Sequence, residues 1–97
     1  HNETVELNDP SAHAEVLAIR RAAQNLQTKD LSGCILYGSH EPCLMCFSCA
    51  AWANIGEIYF VQSASDNGDA YEFEGIALQQ IADKIRRPIK LQKIEIM

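Results

Sequence analysis

The sequence predicts an α/β fold built on a mainly parallel sheet. Three observations predict it. Apolar residues recur at steps of three and four in an early segment, short apolar and β-branched runs follow at intervals, and Gly, Pro and Asn punctuate the alternation. The 97 residues, 47% of them hydrophobic and 22% charged, make one domain over 1–97 and leave no room for a second.

Asp9-Pro10-Ser11 is a helix-start signal, with Asp9 suited to the N-cap and Pro10 to the first turn. Ala12, Val16, Ile19, Ala23 and Leu26 then follow at steps of four, three, four and three, which predicts an amphipathic helix. Leu31-Ser32-Gly33 breaks it, and Cys34-Ile35-Leu36-Tyr37 reads as a short buried strand. Gly38 to Pro42 turns the chain into a second helix, Cys43 to Asn54, rich in Ala, Cys and aromatics. Glu57 to Val61 is a second strand, Ser63 to Asp69 a loop, and Glu74 to Ile85 a third helix that Arg87-Pro88 ends. Leu91 to Met97 alternates as a last strand. The order α-β-α-β-α-β requires crossovers and hence parallel strands covered by helices. In such sheets the working residues sit beyond the strand ends, often at helix N-termini.

The net charge of −5 repels phosphate backbones, so general nucleic-acid binding is disfavoured and a small substrate expected. The late basic residues Lys84, Arg86, Arg87, Lys90 and Lys93 read as a solvated face. No apolar run approaches the ~20 residues of a membrane span and no signal peptide opens the chain, so a cytoplasmic protein is expected. Two of the four cysteines form a C-x-x-C, a spacing that in a cytosolic chain means metal or redox chemistry.

Two motifs carry that chemistry. His13-Ala14-Glu15 falls in the opening turn of the first helix, and Pro42-Cys43-Leu44-Met45-Cys46 opens the second. Cys43 and Cys46 are three apart, so their sulfurs share one helix face, and the positive end of the helix dipole favours thiolates. With His13 they supply three ligands of a tetrahedral Zn2+, and a catalytic zinc keeps its fourth position for water. Glu15 is then placed to take and redeliver the proton of that water. A structural zinc closed by Cys49, Cys34 or His40 is the leading alternative, but it leaves Glu15 unexplained. A dithiol redox site leaves His13 unexplained. Cys34 and Cys49 themselves read as packing residues.

Asn8 to Glu15 followed by Glu41 to Cys46 resembles the cytidine and deoxycytidylate deaminase superfamily, most closely its guanine deaminases and tRNA adenosine deaminases. The resemblance implies a three-layer α/β/α cytidine deaminase-like fold with zinc on His13, Cys43 and Cys46 and a proton shuttle at Glu15. It implies base contacts from Asn2, Ala14, Trp52 and Glu74, and a Cys43 backbone N–H that assists the developing alkoxide. The Tyr71-Glu72 pair departs from the Gly-Phe-Asp-Asp pattern of guanine deaminases, which leaves isocytosine or an aminotriazine beside guanine as the ring. The activity implied is hydrolytic deamination of a free nucleobase by a homodimer. The alternatives are adenosine-to-inosine editing of tRNA and a non-catalytic zinc module that binds a partner. Relative to the family pattern, a helix and two antiparallel strands are missing before His1. Their absence is expected to expose an apolar edge beside Cys34–Tyr37 and one face of the sheet.

Overall fold

The computed structural model describes residues 1–63 and 76–95. In chain order they form α1 (Ala14–Leu26), β1 (Ile35–His40), α2 (Leu44–Trp52), β2 (Glu57–Gln62), α3 (Leu78–Ala82) and β3 (Lys90–Lys93). The alternation is the one the sequence predicts. The expected loop from Ala64 onward, the start of the third helix including Glu74, and Ile96-Met97 lie outside the described residues.

α1 begins later than its start signal. Asp9 does not cap the helix; its Oδ1 accepts from the Ser11 N–H at 2.9 Å and the Ser11 hydroxyl at 2.6 Å, closing a local turn. The His13 N–H closes a further tight turn onto the Ser11 carbonyl at 2.8 Å, and His13, with extended backbone (φ −70, ψ 152), is the N-cap residue itself. Val16, Leu17 and Ile19 form the buried stripe of α1. The helix stops at Gln27, which takes the left-handed conformation (φ 54, ψ 42), and the Thr28 N–H donates to the Ala23 carbonyl at 3.0 Å. β1 runs past the expected Tyr37, because Gly38 and His40 keep their pairing with Phe60 and Gln62 of β2.

The sheet has the order β1-β2-β3 with both pairings parallel. Leu36, Ile58 and Leu91 stand side by side in register, as do Tyr37, Tyr59 and Gln92, so alternate residues face opposite sides. On the first side Leu36 and Ile58 join Ile19 of α1, Phe47 and Ala50 of α2, and Leu78 and Ala82 of α3 in one buried core. Two right-handed crossovers stepping the same way across a sheet put their helices on the same side, which accounts for α2 and α3 sharing this core.

The other side is open among the described residues. Ile35 is 43% and Tyr37 66% exposed. Tyr37 stacks on Tyr59 with ring centroids 5.5 Å apart, and the Lys90 ammonium lies 5.5 Å over the Tyr59 ring. The described chain is therefore a parallel sheet with a single helical layer, the partial α/β sandwich that the resemblance implies. No helix among the described residues is long and apolar enough to cross a membrane.

Candidate metal centre and active site

The N-termini of α1 and α2 converge beyond the C-terminal end of β1, and the chemistry-bearing residues meet there. His13 and Cys43 are the two N-cap residues, both with extended backbone. Each carbonyl accepts the first helical bond, from Leu17 and Phe47 respectively, both at 2.9 Å. An extended N-cap turns its side chain off the helical path, so the rule that residues two apart on a helix diverge does not apply to His13 and Glu15. The Cys43 sulfur also accepts from the Cys46 N–H at 3.5 Å, as an N-cap side chain does.

His13 Nδ1 lies 3.6 Å from Cys43 Sγ and 3.5 Å from Cys46 Sγ, and the two sulfurs are 3.5 Å apart. Around a tetrahedral zinc with ordinary bond lengths, the N–S edges are about 3.6 Å and the S–S edge about 3.8 Å. The triangle therefore fits that ion. No other His, Cys, Asp or Glu among the described residues joins the group. His40 turns its Nδ1 to the Ser39 hydroxyl at 2.9 Å, and Cys34 and Cys49 pack against the core. Among the described residues neither Cys49, Cys34 nor His40 closes a fourth position on a zinc held here.

The two thiols are coupled. The hydrogen bond from the Cys46 thiol, with further help from backbone N–H groups and the nearby His13, lowers Cys43 to about 5. The same bond, then burial and the negative charge of Glu15, push Cys46 up. Without a cation the pair keeps one proton between two sulfurs. A bound divalent ion would replace that proton and offset the charge of both thiolates.

Glu15 lies outside the donor triangle but within electrostatic reach of Cys46. Its Cγ rests over β1 at Gly38, where an added Cβ would meet it at 4.0 Å and the His40 carbonyl at 3.1 Å. The crowding that Gly38 avoids is that of the His40 carbonyl, while the Glu15 side chain sits at ordinary contact distance from the strand. The sequence places Gly38 at the start of a turn, whereas the structure keeps it within β1; a glycine beside an apolar run is the available sign of close backbone approach.

The remaining expected site residues are dispersed. Asn2 is near, but its Oδ1 accepts from the Ala14 N–H at 2.7 Å, so both groups already serve to start α1. The Asn2 side-chain NH2 has no partner among the described residues. Nothing described accepts from the Cys43 N–H. Trp52 lies at the opposite end of α2 and is 88% exposed, away from the metal donors. Glu74 lies outside the described residues.

The cytidine and deoxycytidylate deaminase zinc-binding region matches residues 1–62. Over 60 residues the chain is 48% identical to the tRNA-specific adenosine deaminase of Aquifex aeolicus, covering 62% of this chain and 40% of that protein. Over 69 residues it is 42% identical to the guanine deaminase of Bacillus subtilis, covering 71% and 44%. Among solved structures it superposes on a guanine deaminase from Nitrosomonas europaea with a TM-score of 0.80 at 29% identity, over 96% of this chain and 54% of that one. The matches thus span less than half the length of these two curated relatives.

Proposed function

The chain belongs to the cytidine and deoxycytidylate deaminase family, and from that premise we propose that it hydrolytically deaminates an aminated nucleobase, with zinc held by His13, Cys43 and Cys46. One observation carries the reading: a carboxylate stands beside a three-donor site that no fourth described side chain closes. When bound, zinc supplies a Lewis acid that brings water near neutral pKa and offsets negative charge developing on oxygen. Glu15 takes the proton from the attacking water, delivers it to a ring nitrogen, and then helps ammonia depart as the C–N bond breaks. The Cys43 N–H points a donor from a helix N-terminus at the oxygen forming on the ring carbon. The Asn2 amide and, by resemblance, Glu74 hold the base.

Guanine or a related ring is the first reading of the substrate, supported by the likeness to guanine deaminases in sequence and structure. Adenosine in tRNA is the second, supported by the 48% identity to a tRNA-specific adenosine deaminase. Net charge does not decide against it. Charge summed over a chain says little about local fields, and five of the eight basic residues here lie between Lys84 and Lys93.

The test is ammonia release from guanine, isocytosine, cytosine, adenine and ammeline, with inosine formation in a tRNA transcript, and zinc assayed on the same sample. Release from one base with about one zinc per chain is expected. A zinc-replete protein inactive on every substrate would overturn the catalytic reading in favour of a zinc-stabilised module.

A further inference from the structure

At the far end of α2 from the metal centre lies a groove of about 450 Å³, lined by Ala51, Trp52, Lys84, Ile85, Arg86 and Arg87. Its composition is unusual for this molecule. Trp52 leaves 88% of its surface in water, the highest exposure of any large hydrophobic residue described. Lys84, Arg86 and Arg87 are exposed, and no described residue makes a salt bridge or hydrogen bond with their side chains. The other two arginines are both engaged, Arg20 with Asp9 and Arg21 with Glu3. The acid within reach of Arg87 is Asp30, whose carboxylate already accepts from the Ser32 N–H and the Asn54 amide.

We propose that this groove binds a nucleic-acid single strand, with one base stacked on Trp52 and the flanking phosphates on Lys84, Arg86 and Arg87. An uncovered indole face takes any base, because every base has a π face, and cations alongside it complete the usual platform for single strands. Guanidinium groups add paired donors that match phosphate oxygens. A duplex keeps its bases stacked and has none to offer. An acidic protein surface would satisfy the cations and leave the indole in water. The groove sits about 14 Å along α2 from Cys43, so it is separate from the metal centre. The inference goes beyond the proposed reaction and does not need it.

Trp52 is the sole tryptophan of the chain, so tryptophan emission excited at wavelengths that tyrosine does not absorb reports on this groove alone. The experiment titrates the full chain with an eight-nucleotide oligouridylate at several salt concentrations. Quenching is expected, with log affinity falling against log salt at a slope of about −2, from three phosphates at about 0.7 each. The triple variant Lys84→Ala, Arg86→Ala, Arg87→Ala keeps the reporter and should bind at least about tenfold more weakly with a flatter slope. Absence of quenching, or full affinity in the triple variant, overturns the proposal. So does equal binding of a duplex of the same length, or of inorganic phosphate alone, which would make this a general anion patch. Ammonia release from free bases, measured on the triple variant, should be unchanged. Oligouridylate binding by Glu15→Gln should also be unchanged, so failure of the groove and failure of the deaminase reading are separately visible.

Discussion

In the proposed reaction Glu15 is the residue on which the chemistry turns, because it is close to the three donors without being one of them. Glu15→Gln should therefore keep about one zinc per chain and lose about 10²–10⁴-fold in turnover, measured as ammonia release beside metal content. Retained turnover would remove the shuttle role. Gln27 shows a different kind of constraint. It holds a left-handed conformation (φ 54) that side chains with a Cβ resist, so Gln27→Gly should stabilise the fold by about 0.5–1 kcal/mol in urea unfolding. Asp9 and Asp30 lie below the usual carboxylate range, chiefly through hydrogen bonds from Ser11 and Ser32 respectively. A depressed carboxylate stabilises the fold above its unfolded value of 3.8 and loses that contribution as pH falls through the lower folded value. The double change Asp9→Asn, Asp30→Asn should flatten the fall in thermal midpoint below about pH 4. At this scale the metal donors were legible because two short motifs with fixed spacing suffice to name them. The distance of Trp52 from them was legible too, since nine residues of helix beyond Cys43 put it about 14 Å away, whereas its exposure was not, because it depends on what packs around the end of α2.

At the level of elements, both donor motifs occupy N-caps, and the helix behind each fixes its aim. α2 is anchored by Phe47, 1% exposed, one residue beyond the donor Cys46. Phe47→Ala should cost about 3–5 kcal/mol in urea unfolding, through lost burial and a cavity. In any fraction that remains folded, zinc should bind more weakly. An unchanged unfolding midpoint would mean that α2 is held by something other than this ring. The boundary of α1 explains why the sequence set its start too early. Asp-Pro-Ser is a sound capping signal, but the carboxylate found its partners within two residues and stopped there. The displaced start moved His13 from the first turn to the N-cap, and that shift is what lets it meet Cys43 and Cys46 at 3.6 and 3.5 Å.

Over the whole molecule, the order of elements and the parallel sense of the sheet followed from alternation alone, because crossovers leave little choice of hand. Which strand positions would be covered did not follow from it. The apolar run Cys34–Tyr37 by itself reads as a buried strand, and the open face was expected only from the resemblance; Leu36 is 8% exposed and Tyr37 66%, since the described helices all contribute to the core on one side. The donor triangle has a consequence for the chain as a polymer. His13 and Cys43 are 30 positions apart, so a single ion gripping both closes a ring in the backbone. A covalent link closing a ring of that length removes about 3.5 kcal/mol of configurational freedom from the unfolded chain. A chelator should thus lower the thermal midpoint by several degrees, and zinc, but not magnesium, should restore it. If the midpoint does not move, the ion is a reagent only. If it does, the atoms that ready water for attack are also a staple, and a cell short of zinc would lose the protein itself along with its activity.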